Sequence, residues 1–542
     1  MNNTIKFNGI PKSEPFKIPF KLKNTLLVEW LQEVCFSDAK QACLKILTLI
    51  QALNDSSLSA SKRVEFLTTT QEYLKGSINQ LPNECWDASF PLSSEEKNYA
   101  EIIAWNNLAL ADGFFIAAND SYKKSDKAYF FAMALQAMRE VQLHIAATHS
   151  IVNTGFWGLI YEIFAQAEKR KLQHLDIKNL NGLTINTIFS QLLIFHVCDS
   201  NQYRSRDIHT LFHFLTKCCH NLSVEAHINS GEDMFMLDLD ASNSPVHIKT
   251  QSELAKATTR YFSPVIIAEE IEYILEQNNP WSGSLKSINN TLFQRVIKTL
   301  KLNQTRRHQR TDKNQDVLSV IGFEQITAFL YKISKNKIVI AADAETIINA
   351  PKITNLEIYD PDYKQPLVRE KGVWQKHKNE FNPAEQKVSL KKITLVDTSA
   401  TGYSVHWQKI NIKAKIGDIF GIISEDKKRL EIVIIRRLAM QTSNYYRFGV
   451  QILGFNSEIV YIRHANAKLS DGVWGILLPS SKVLEQSSTL IYASNEFKIG
   501  ENFYIHRSET VILCTLVQEL SSTSSITHVK LGVPSSQRQA KI

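Results

Sequence analysis

At 542 residues the chain is too long for one hydrophobic core, and 44% hydrophobic against 21% charged residues excludes wholesale disorder. Its 62 basic and 54 acidic residues leave a net charge of +8, too diluted for a histone-like coat on duplex DNA but compatible with a local site for a small anion. Seven scattered cysteines argue against a disulfide framework; with no signal-peptide core and no apolar run of membrane-spanning length, the composition implies a reduced, soluble, cytoplasmic protein.

From residue 24 to 226 apolar residues recur at helical spacing. "LLVEWLQEV", "ACLKILTLIQAL", "EIIAWNNLALADGFFIAA" and "AYFFAMALQAMREVQLHIAA" each repeat at i, i+3, i+4 and i+7, and predict a helical bundle or array without a fixed repeat. "DMFMLDLD" alternates and predicts a short strand before helix returns in "AEEIEYILEQ" and "SLKSINNTLFQRVIKTLKL". That last helix runs into "QTRRHQRTD", which carries Arg306, Arg307 and Arg310.

Beyond residue 316 the chain turns to short β-branched runs: "DVLSVIGF", "VSLKKITLVD", "GDIFGIIS", "RLEIVIIRRLA" and "RFGVQIL". Their spacing suits an antiparallel barrel. The polar stretch "EIYDPDYKQPLVREKGVWQKHKNEFNPAEQK" reads as a long surface insertion, and strands resume after residue 455 with "EIVYIRH", "VWGILLP", "TLIYAS", "ENFYIH" and "TVILCTLVQEL" before a loose tail. The expected architecture is α+β and multidomain: a helical domain over 1–228, a linking strand and helices over 229–300, a barrel over 301–455 and a β-rich domain over 456–542.

Two weak motifs bracket the barrel. Arg306 and Arg310 form R-x-x-x-R, and "VDTSATG" forms D-x-S-x-x-G with Asp397, Ser399 and Gly402. Alone, the first reads as a solvated charge run and the second as a common turn. In this order, arginines before the first strand and D-x-S-x-x-G closing a later one, they resemble the PilZ domain, the bacterial receptor module for cyclic di-GMP. "GDIFGIIS", "LEIVIIRR" and "YYRFGVQILG" are similar to the strands that follow in that family, and the helical half with "MFMLDLDASNSP" resembles a subgroup of large PilZ proteins. The separation of Arg310 and Asp397 is longer than the family usually shows, and a surface insertion absorbs it at little cost in closure entropy.

The resemblance implies a non-catalytic effector whose ligand is cyclic di-GMP, with neither cofactor nor metal. It also implies a protein partner in pilus, flagellar or biofilm machinery. Arginine forks suit the ligand's two phosphates and two guanines, since a guanidinium donates in parallel and stacks on a base. Asp397 and Ser399 are then expected at the guanine edge, with Arg307 as a third arginine facing phosphate or water. Arg436 reads as an ordinary exposed strand residue. Two other readings stay open: an adaptor whose barrel has lost the nucleotide, and a metal-dependent hydrolase built on His209 and His213, which stand i,i+4 near Cys218, Cys219 and His220. No P-loop, G-x-S-x-G or dinucleotide fingerprint follows a suitable strand, and aromatic residues do not interleave with basic ones as in a nucleic-acid platform.

Overall fold

The computed structural model describes residues 17–532 except 82–88, 91, 151–154, 228–233, 249–255, 278–282, 302–309, 335–382, 400, 409–413, 424–429, 443–444, 466–471, 481–486, 494–496, 508–510 and 523–525. The chain divides into two compact units, Met1–Arg306 and Arg307–Ile542. The expected insertion at 355–385 and the C-terminal tail lie largely or wholly outside the described residues.

The first unit is helical. It comprises α1 (Asn24–Cys35), α2 (Ala39–Asp55), α3 (Ala60–Asn79), α4 (Ser94–Asp120), α5 (Lys124–Ala147), α6 (Phe156–Lys169), α7 (Ile185–Val197) and α8 (Ser205–Cys218). A small antiparallel sheet follows, β1 (Phe235–Asp238) between β2 (Val246–His247) and β3 (Thr259–Phe262), then α9 (Val265–Gln277) and α10 (Gly283–Leu300). Helices α4, α5 and α7 bury residues on most of their circumference, as central helices must, and one apolar cluster runs from Leu27 through Phe131 and Phe189 to Leu300. Local signals set the helix starts. At α4 the Ser93 hydroxyl accepts from the Glu96 amide at 3.1 Å while Glu96 accepts from the Ser93 amide, a reciprocal capping box. A two-pronged ion pair from Arg260 to Glu168, with the Nε contact at 2.9 Å, fastens β3 to α6.

The second unit holds two closed six-stranded antiparallel barrels. The first is built from β4 (Thr311–Ile321), β5 (Lys391–Ser399), β6 (Gly402–Gln408), β7 (Ile419–Ile423), β8 (Leu430–Thr442) and β9 (Tyr445–Gly454), in the order β4-β5-β6-β9-β8-β7. Between β4 and β5 lies helix α11 (Phe323–Ile333), which the sequence reading passed over although Phe323, Ile326, Thr327 and Leu330 are spaced for one buried face. The second barrel is built from β10 (Glu458–His464), β11 (Val473–Leu478), β12 (Thr489–Tyr492), β13 (Asn502–His506), β14 (Val511–Ser522) and β15 (Thr527–Gly532). Closure leaves neither barrel a free edge.

Candidate ligand-binding site

The first barrel carries a polar patch on its outer wall. Along β9 Tyr446, Phe448 and Val450 are buried, while Arg447 and Gly449 alternate with them on the other side of the sheet. Strand register places Asp397 of β5 opposite Asp312 and Ser404, and His406 opposite Arg447. Directly paired residues share a face, so Asp312, Asp397, Ser404, His406 and Arg447 stand together.

Asp397 is the hub. Its side chain is 8% exposed and lies between two guanidinium groups. Arg310, the residue before β4, brings Nη1 to 3.0 Å from Oδ1 and donates to Oδ2 at 3.2 Å. Arg447 donates from Nη2 to Oδ2 at 2.8 Å and from Nε to the Ser404 hydroxyl at 2.7 Å. Oδ1 is buried and receives no aligned hydrogen bond; Arg310 attracts it through charge alone. The two arginines are 44% and 40% exposed, so a buried carboxylate holds two solvent-facing forks at fixed positions.

The turn beside this hub explains the other two motif residues. The Ser399 hydroxyl donates to the Gly402 carbonyl at 3.1 Å and tightens the link from β5 to β6. A Cβ on Gly402 would lie 2.2 Å from the Val450 carbonyl oxygen of β9. Glycine is required there by the approach of a neighbouring strand, and Gly402 is not among the glycines with positive φ. His406, beside Arg447, titrates below the ordinary histidine value because of burial first and the adjacent guanidinium second, with Asp397 opposing both.

Of the residues singled out from sequence, Arg310, Asp397, Ser399 and Gly402 come together here, although Arg310 and Asp397 stand 87 positions apart. Arg306 and Arg307 lie outside the described residues. Arg436 sits elsewhere on β8, where its Nε donates to the Gln451 side chain at 2.9 Å. Arg447, Ser404 and His406 escaped sequence reasoning. Their only signal was a lone arginine between buried aromatics in "YYRFG", which reads equally well as an exposed strand residue.

In the helical unit, His209 and His213 of α8 border an open cleft of about 580 Å³, with Lys75, Glu140, His144 and Arg206 also on its walls. Among the described residues no group of three or more His, Cys, Asp or Glu side chains is placed to hold a metal. Cys218 and Cys219 are buried, and desolvation pushes both thiols well up, away from the thiolate form that binds metal. Among the described residues no helix is long and apolar enough to cross a membrane.

Two family descriptions match the chain: "Cyclic-di-GMP receptor FimW, N-terminal domain" over residues 26–227, and "Cyclic-di-GMP receptor FimW, middle PilZ domain" over residues 325–458. Together they span more than half of the sequence, and the second contains Asp397, Ser399, Gly402 and Arg447. No curated protein and no solved structure matches.

Proposed function

The chain belongs to the FimW family of cyclic-di-GMP receptors, and we propose that it takes this ligand on the outer wall of the first barrel, as a non-catalytic effector. The observation that carries the reading is Asp397, a buried carboxylate that presents to solvent Arg310, just before β4, and Arg447 of β9, two residues distant in sequence. Each guanidinium keeps donors beyond those spent on Asp397, and a planar fork meets a phosphate or the O6 and N7 edge of guanine in two parallel bonds. When Arg310 turns from Asp397 to a phosphate, Oδ1 is uncovered as an acceptor for a guanine N–H. Ligand and Asp397 thereby exchange partners at one position. The consequence passes to a protein partner of the pilus, flagellar or biofilm apparatus. The buried free thiols Cys43, Cys198, Cys218 and Cys219 suit a reducing cytoplasm.

Calorimetric titration tests the reading. The protein is expected to bind cyclic di-GMP saturably and to discriminate against GMP and GTP. Arg310→Ala should weaken binding by about 1.5–3 kcal/mol, roughly 10- to 150-fold. Equal, weak binding of all three nucleotides, or an Arg310→Ala variant that binds as the parent does, would overturn it.

A further inference from the structure

The two barrels share one strand order. Counted within each barrel, the strands run first, second, third, sixth, fifth, fourth, and the first closes on the fourth. Every neighbouring pair is antiparallel in both. The second barrel lies almost wholly beyond both segments matched to the family.

Corresponding rows across these barrels carry opposite chemistry. With the strand-one residues that pair on both sides taken as equivalent, Leu318 and Ser319 in the first barrel and Tyr461 and Ile462 in the second, the first barrel's row through strands one, two, three and six reads Asp316, Thr394, His406, Arg447. In the second it reads Ile459, Ile476, Ile491, His528. The isoleucines do not point into their own barrel. Its interior is a separate cluster of the alternating residues, among them Val460, Leu477, Leu490 and Tyr492. Ile459, Ile476 and Ile491 instead join one apolar cluster with Ile326 and Leu330 of α11 and with Ile432 and Ile434 on the first barrel's β8. Two polar or aromatic neighbours mark the same seam. Trp474 meets Tyr331 of α11 edge-on at 6.0 Å, and the charge of Arg436 on β8 adds to burial in disfavouring protonation of His528.

We propose that the C-terminal barrel is a second PilZ-type barrel whose ligand face has become an internal docking surface, sealed by α11 and the outer wall of the first barrel, so that each chain offers cyclic di-GMP one site. The row that carries His406 and Arg447 of the candidate site in the first barrel carries isoleucine on three strands of the second, and burial leaves no approach for a nucleotide. Only the single-site clause rests on the ligand reading above. The docking clause stands on packing alone.

Hydrogen–deuterium exchange of the full chain separates an outer docking face from an inner core. Ile476→Glu should raise exchange in α11 while β13 and β14 keep their protection, whereas Val460→Glu, inside the barrel, should deprotect β10 to β15 together. An Ile476→Glu pattern identical to that of Val460→Glu, or unchanged exchange in α11, overturns the docking surface. For the single site, the Arg310→Ala, Asp397→Ala double variant is titrated with cyclic di-GMP. Abolished binding is expected, and a residual saturable site in that variant overturns the clause. Failure of the parent to bind would instead count against the ligand reading and leave the exchange result to decide the docking surface.

Discussion

Gly402 shows how one position can serve the site through packing alone. From sequence this glycine reads as part of a common turn; the barrel needs it because β9 runs against β6 with no space for a methyl group. Gly402→Ala therefore forces the strands bearing Ser404 and Arg447 apart. Overpacking of this kind costs about 1–3 kcal/mol, to be read as a lowered denaturant midpoint, and cyclic di-GMP affinity should fall with it. Parental stability in this variant would refute the packing argument. Asp397 was legible as a motif residue, but its partners were only half so. Arg310 announced itself within a cluster, whereas Arg447 becomes a site residue only through the pairing of β6 with β9, a register no local pattern encodes.

Among the elements, periodicity was a good guide wherever one face is buried. The strands quoted from sequence all appear, as do the helices of the first unit, because alternation and i, i+3, i+4 spacing record the same burial that stabilises them. Helix α11 was missed because it is short and follows a strand without a polar break; only Gly322, at φ +85°, separates them. It now emerges as the wedge between two barrels. Ile326 is fully buried there, and Ile326→Ala should destabilise the second unit by about 2–5 kcal/mol. Chemical denaturation followed by a probe in that unit, such as Trp474 fluorescence, measures it; a change below about 0.5 kcal/mol would place the helix outside the core.

Across the whole molecule, buried histidines set the response to acid. Burial pushes His144 and His506 down to about 3, with His209 and Arg463 respectively adding to the effect. Burial likewise pushes His149, His196, His209 and His528 down to about 4. As pH falls from 7 to 6, the unfolded chain takes protons on histidines of ordinary pKa near 6.5 while these buried rings refuse them. The unfolded state binds more protons, so stability falls with pH through this window. Asp112, raised to about 6 by burial and by Asp55, has the opposite sign and offsets part of this loss as pH falls through about 6; burial raises Glu140 and Asp207 as well, but six histidines outnumber them. Thermal melts at constant ionic strength should show a lower midpoint at pH 6 than at pH 7.5. A midpoint that is unchanged or higher at pH 6 would contradict the burial of these rings.

The apolar seam between the barrels also has a consequence for biosynthesis. Strand β8 leaves the ribosome before the isoleucines of the second barrel that join its cluster. The residues from Gly454 to Gly532 need roughly 4–16 s more at about 5–20 residues per second. During that interval a closed first barrel displays Ile432 and Ile434 to solvent. A nascent chain paused there, or one truncated after Gly454, carries a ready surface for self-association and for chaperone capture.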